Sequence, residues 1–267
     1  YDPERHRADA SIYGGHDTGV CCLNFAAATA WTRGYPDRAV RYSQEAVRLA
    51  RQLSDPSSAA IAHYYAAVVH HWRREHRETV AQAEAALDTA RKHGLPTSRY
   101  SLLARLGRDE ALEESELAHL YQTARPPWWA WHHTFAFCVI AEAFARADLP
   151  DRGLAVLAEI PEHSLETIYS SEIYRCRGEI LLRQGAAHAS EAESCFRTAV
   201  ELARHRGCHS LELRAVTSLS RLLQRQGKHE DARHMLAPIY SWFTEGFDTA
   251  DLRDARTLLH ELSVWSR

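Results

Sequence analysis

The chain has 267 residues, a formal net charge of -3 and a hydrophobic fraction of 45%. The weak net charge argues against a general nucleic-acid-binding surface, which is usually strongly basic, and no apolar run approaches the roughly 18 residues that span a bilayer. We therefore expect neither a nucleic-acid partner nor a membrane partner.

Glycine and proline are scarce, with 12 and 9 residues, whereas alanine, leucine, arginine and glutamate are abundant. This composition favours helices and leaves few turn residues for hairpins, so we expect an all-α protein. None of the six cysteines forms a C-x-x-C pair, which indicates buried thiols in a reducing cytoplasm. The first residue is Tyr1 and not methionine, so we expect a piece of a longer protein.

The first motif is "GGHDTGVCC" (14–22), which puts a histidine, a carboxylate and two thiols close together. Asp17 stands directly before an apolar helical stretch, so its carboxylate is predicted to cap the N–H groups of Gly19 or Val20. A reactive thiol near the helix start, or a metal site that uses His16 and one of the two cysteines, are the alternative interpretations.

An internal repeat follows, with "EAVRLARQLSDP" (45–56) matching "AALDTARKHGLP" (85–96) at an offset of 40 residues. Each segment comes after another helical stretch, so the repeated unit is helix, short turn, helix and a break marked by proline. The matched residues are Ala46 and Ala86, Ala50 and Ala90, Arg51 and Arg91, and Pro56 and Pro96.

Histidines cluster at His70, His71 and His76, and again in "HEDARH" (229–234). Zinc proteases need H-E-x-x-H, in which two histidines lie one helical turn apart on one face. Here the spacing is five or six residues, so we predict surface or turn histidines. The sequence assigns no metal ligand, no catalytic residue and no cofactor.

The centre of the chain, about 96–135, breaks the repeat with a short helix, an acidic stretch and a double proline. The tryptophans that follow, Trp128, Trp129 and Trp131, cannot all be buried in one helical interface. We therefore consider them candidates for binding a partner, since tryptophan and tyrosine are common interface residues, with packing in the irregular repeat as the alternative. Tyr64, Trp72 and Tyr100 are predicted to extend this surface.

Near the other end, small residues recur at fixed places in two more helix pairs. Gly178 is predicted to let a second helix approach closely, and the residues that pack against it are Ala192, Phe196 and Ala199. A final helix, about 248–264, is predicted to cap the array.

This pattern resembles the tetratricopeptide repeat (TPR) family. The resemblance implies a right-handed α-solenoid of about six helix pairs plus the capping helix, in a single domain over 1–267. The opening stretch and the phrase "WFTEGFDTADL" (242–252) also resemble the C-terminal repeat region of bacterial multidomain STAND-type ATPases, which carry a nucleotide cyclase or another effector.

The resemblance implies a non-catalytic sensing or interaction module in the cytoplasm. Its expected partners are a protein or peptide, a small ligand, or other domains of the parent chain. One alternative is a self-associating scaffold, a homo-oligomer that clusters effector domains. A distant alternative is a metal- or thiol-based sensor.

Overall fold

The computed structural model describes residues 1–2, 15–108, 110, 112–124, 130–160 and 169–264, without the side chains at 99, 124 and 130–133. The regular structure of this part of the chain consists of thirteen α-helices and one short 3-10 helix, Ala186–His188, with no strand. The prediction of an all-α fold is confirmed, and the helix count is that of six pairs and one further helix.

The chain forms two compact units, Tyr1–Asp109 and Glu110–Arg267. The prediction of a single domain over 1–267 stays a prediction. None of the helices in the described ranges is both long and apolar enough to cross a membrane.

Unit 1 contains five helices, and each packs against the next one along the chain. In addition α1 packs against α3, and α3 against α5, so the first helices of successive pairs touch each other. The helices are α1 (Thr18–Thr32), α2 (Pro36–Leu53), α3 (Pro56–Trp72), α4 (His76–Lys92) and α5 (Ser98–Leu106).

Unit 2 contains eight helices with the same two kinds of contact, since α7, α9, α11 and α13 pack in sequence as well as against their chain neighbours. The helices are α6 (Glu114–Ala124), α7 (Ala130–Arg146), α8 (Pro150–Ala158), α9 (Ser170–Gln184), α10 (Ala189–His205), α11 (His209–Arg225), α12 (His229–Trp242) and α13 (Ala250–Val264). We call α1, α3, α5, α7, α9, α11 and α13 the first helices.

Four of the turns inside helix pairs share one conformation. In each, a residue with positive φ follows the first helix, and the next N–H donates to the carbonyl five residues earlier, as in a Schellman motif. The positive-φ residues are Gly34, Arg74, Asp148 and Gly227. Because two of the four are not glycine, the turn is set by the packing of the helix pair as much as by its residue.

The second helices bury a stripe of alanine, which lets the paired helices lie close together. The alanines that the repeat matched, at 46, 50, 86 and 90, are at most 1% exposed. In unit 2 a Cβ on Gly178 would lie 2.5 Å from Cε1 of Phe196, whose ring is fully buried. The predicted close approach at Gly178 is confirmed.

The last helix, α13, begins at Ala250, two residues after the predicted start of the capping helix. It buries one stripe against α11 and α12, formed by Leu252, Ala255, Leu258 and Leu262. Its other positions are half-buried or exposed and mostly polar, as expected of a helix that ends a helical array.

Asn24 in α1 is 1% exposed, and neither its Oδ1 nor its Nδ2 has a hydrogen-bond partner within the described part of the chain. An unpaired buried amide costs about 1–3 kcal/mol. We therefore expect Asn24→Leu, which has a similar shape, to raise the free energy of unfolding by about 1–2 kcal/mol. Chemical denaturation measures this change.

The matched control is Gln82→Leu, because the Gln82 amide accepts or donates at 2.7 Å to Nδ1 of His63. Losing that hydrogen bond gives no stabilisation. An Asn24→Leu protein that is less stable than the wild type would contradict the prediction.

Candidate functional site

The tryptophans predicted to bind a partner lie at the edge of what the structure describes. Trp128 and Trp129 lie outside the described residues. Trp131 belongs to α7, but its side chain is outside the described part. The predicted role of all three in binding stays a prediction.

The other three predicted residues lie in unit 1, and all are buried. The rings of Tyr64 in α3 and Tyr100 in α5 meet edge to face at 5.7 Å, and Trp72 stacks on Trp31 at 4.6 Å. Their exposed fractions are 4%, 5% and 2%, so as folded they offer a partner little surface. Their assignment to a binding face remains a prediction.

Tyr64 and Tyr100 belong to a longer row of rings across the first helices of unit 1. Tyr65 contacts Tyr64 at 5.8 Å and Phe25 at 5.9 Å, so the row connects α1, α3 and α5. Phe25 is 48% exposed, whereas the tyrosines are buried. The row therefore packs the first helices together and leaves one ring accessible at its end.

The "GGHDTGVCC" motif is a helix start. Oδ1 of Asp17 accepts from the N–H of Val20 at 3.0 Å, and the N–H of Asp17 donates to Oγ of Ser58 at 2.8 Å. The predicted cap is confirmed. Burial raises the pKa of the half-buried Cys21 thiol, which disfavours the reactive thiolate.

The first histidine cluster serves the turn between α3 and α4. Nδ1 of His70 lies 2.6 Å from Oε2 of Glu75, and Nε of Arg73 donates to the other oxygen of Glu75 at 2.8 Å. Arg73 also pairs with Asp37 at 2.9 Å, so these groups connect the ends of three helices. This arrangement agrees with the prediction of turn histidines.

The most extensive polar arrangement lies in unit 2, where charged side chains of four successive first helices meet. We call it the charged ladder: Glu142 in α7, Glu172, Arg175 and Glu179 in α9, Arg214 in α11 and Asp251 in α13. Its four carboxylates and two guanidinium groups give a formal charge of -2. Ion pairs or hydrogen bonds join every member to another.

Arg175 lies at the centre of the α7–α9 half of the ladder. Its Nη2 donates to Oε1 of Glu142 at 2.5 Å and to Oε1 of Glu172 at 2.8 Å, and its Nε donates to Oε2 of Glu172 at 2.9 Å. Glu172 is only 3% exposed, so these charge-assisted hydrogen bonds replace the water that its carboxylate loses on burial.

Arg214 connects the ladder from α9 to α13. Its Nη1 donates to Glu172 at 3.3 Å and its Nε to Asp251 at 2.7 Å. Two further contacts join α11 to α13, from Arg221 to Asp254 and from Gln224 to Glu261, both at 3.1 Å. The partners advance together along both helices, so α11 and α13 run parallel.

The pKa values within the ladder follow from these contacts. Burial alone would raise the pKa of Glu142, but the charge and hydrogen bond of Arg175 outweigh it and lower the pKa from 4.5 to about 2. Burial alone would lower the pKa of Arg175, but the neighbouring carboxylates raise it well above its usual value. The ladder is therefore fully ionised at neutral pH.

A donor set that resembles a metal site lies in the same place. The carboxylates of Glu142 and Glu172 and the thiol of Cys176 each offer an atom within 4.8 Å of the others. Nη2 of Arg175 contacts all three, so a guanidinium takes the position a cation would need. Burial and the nearby carboxylate raise the pKa of Cys176 well above its usual value, which disfavours the thiolate that metals bind.

We expect stability to fall steeply in acid because of Glu142. Its folded pKa of about 2 lies below the usual 4.5, so its contribution is present above pH 4.5 and is lost as the pH falls toward 2. Glu142→Gln should lower stability at neutral pH and flatten this dependence. Denaturant unfolding at a series of pH values measures both effects.

The control for this experiment is Glu201→Gln, which removes an exposed carboxylate from α10. Its pH dependence should follow that of the wild type. An equally steep fall in stability for Glu142→Gln would contradict the assigned role of Glu142.

Comparison with known proteins identifies no relative. No protein-family model matches the chain, and no curated protein shows significant sequence similarity to it.

The sequence analysis did not find the charged ladder. A signal was present, since Glu172, Arg175 and Glu179 follow each other at spacings of three and four and so share one face of a helix. Oppositely charged residues occur about one repeat later, at Arg214 and Asp251. A search for charges at both the helical and the repeat spacing would have brought these residues together.

Proposed function

We propose that the chain is a non-catalytic, TPR-like α-solenoid module that binds a protein segment on the face formed by its first helices. The observation that carries the proposal is the packing of first helices on one another, with α11 and α13 parallel and joined by hydrogen bonds one repeat apart. Repeats stacked in this way form an extended surface, which is the usual binding face of solenoid proteins.

The proposal extends to the role of the module in a larger protein. The resemblance of "WFTEGFDTADL" to the repeat region of STAND-type signalling ATPases supports a regulatory segment. A partner bound more tightly by one arrangement of the repeats than by another would shift the attached ATPase or effector between states.

An affinity capture experiment tests the proposal. The full chain serves as bait in lysate of the organism that makes it, and captured proteins are identified by mass spectrometry. The Trp128→Ala/Trp131→Ala and Glu142→Gln/Glu179→Gln double variants are matched baits, with Glu201→Gln as control. A partner lost with either double variant and kept with the control supports the proposal, whereas identical capture by all baits contradicts it.

A second candidate function is self-association, and one observation favours it. Trp242 and Phe247, at the end of unit 2 near α13, are 36% and 44% exposed. Large exposed aromatic side chains often mark contact surfaces. Sedimentation of the wild type and of Trp242→Ser/Phe247→Ser tests this candidate, because a monomer at high concentration in both cases would rule it out.

A further inference from the structure

Positive and negative groups of the charged ladder differ in their access to solvent. The side chains of Arg175 and Arg214 are only 13% and 12% exposed, whereas those of Glu142 and Glu179 are 31% and 37% exposed. The guanidinium groups therefore lie beneath, and two carboxylates remain accessible on either side of Arg175. Solvent meets the negative part of the cluster.

These two carboxylates retain hydrogen-bonding capacity. Oε1 of Glu142 accepts from Arg175 and from the thiol of Cys176, and Oε1 of Glu179 accepts from Oγ of Ser218 at 2.5 Å. No residue in the described part of the chain donates to the second oxygen of either carboxylate. A carboxylate accepts several hydrogen bonds, so each has an acceptor left for a further donor.

The chain itself demonstrates what this cluster binds. The guanidinium of Arg175 fits between carboxylates from two helices, with three donor–acceptor distances of 2.5, 2.8 and 2.9 Å. A planar guanidinium or an ammonium from outside would meet the same type of acceptor on the solvent side.

We propose that Glu142 and Glu179 form a docking surface for an arginine- or lysine-bearing segment of a partner protein. This inference rests on the proposed function, because it names the class of segment that the first helices bind. Carboxylates on both sides of Arg175 place negative charge on two neighbouring first helices. A basic segment that crosses α7 and α9 contacts both.

One positive group opposes this binding. Arg146 is exposed on α7, one turn beyond Glu142, and its charge acts on that carboxylate. It reduces the net negative charge at the edge of the surface without a hydrogen bond to Glu142. Its removal should therefore strengthen the binding of a basic segment.

Fluorescence anisotropy with three labelled peptides of equal length tests the proposal. One carries arginines spaced by glycine and serine, and in the other two glutamate or glutamine replaces the arginines. We expect the full chain to bind the arginine peptide best. Glu142→Gln and Glu179→Gln should each weaken binding about 2–5-fold, which corresponds to the loss of one exposed charge pair.

Three comparisons make the result decisive. Glu201→Gln should bind the arginine peptide like the wild type, and Arg146→Gln should bind it about 2-fold more tightly. Glu179→Gln keeps the buried contacts of Arg175 with Glu142 and Glu172, so it remains informative if Glu142→Gln fails to fold. Circular dichroism establishes the fold of each variant.

Equal binding of the arginine and glutamine peptides overturns the inference, as does binding of the arginine peptide that Glu179→Gln leaves unchanged. If the glutamate or glutamine peptide binds and the first-helix variants abolish that binding, the docking of basic segments is wrong while the interaction module stands. Binding of no peptide overturns the inference, and the capture experiment then decides the proposed function separately.

Discussion

Replacing Arg175 with methionine should lower the free energy of unfolding by about 3–5 kcal/mol. Methionine retains much of the apolar stem but leaves Glu172, which is 3% exposed, with fewer partners for a buried charge. Glu142 loses the hydrogen bond that holds its pKa at about 2. Denaturant unfolding followed by circular dichroism measures the loss.

The control for this substitution is Arg197→Met on α10. Arg197 pairs with Glu193 at 2.8 Å, but its side chain is 51% exposed, so we expect a change within about 0.5 kcal/mol. Similar losses in the two variants would show that the ladder contributes no more than a surface ion pair.

Truncating Phe196 to alanine should cost a further large amount, about 3–5 kcal/mol. The ring is fully buried between α9 and α10, against Gly178 and among the apolar side chains of unit 2. Its removal leaves a cavity that two packed helices cannot close. Thermal and denaturant unfolding both report the change.

Gly178 provides a test of the same contact with a reversal of sign. In the wild type, Gly178→Ala puts a methyl group 2.5 Å from the Phe196 ring, and we expect a loss of about 1–3 kcal/mol from overpacking. In the Phe196→Ala background the methyl group has room, and alanine favours the helix over glycine by about 1 kcal/mol. The same substitution should then stabilise, and destabilisation in both backgrounds would contradict the contact.

Local patterns predicted the features that depend on local physics. Asp17 before an apolar run indicated its cap, and the small residues around Gly178 indicated where Phe196 packs. The helix bounds followed from periodicity, proline and glycine. These features involve residues within one helix pair, so the sequence contains nearly all the information that sets them.

Contacts between neighbouring pairs were harder to predict. Trp72 was expected to extend a binding surface, yet it stacks on Trp31, which lies about one repeat earlier in the chain. Likewise the partners of Glu172 lie both one turn and one repeat away. Which faces of two helices meet depends on how the pairs stack, and the period of one helix does not specify it.

The pattern of helix contacts also determines how each unit folds. Within the described ranges, a helix packs substantially only against the next one or two helices along the chain of its unit. Contacts of such short sequence separation need little loop closure, which favours rapid folding that nucleates in any helix pair and spreads to its neighbours. For the same reason α13, with neighbours on one side only, should open first, and its amide hydrogens should exchange with solvent faster than those of α11.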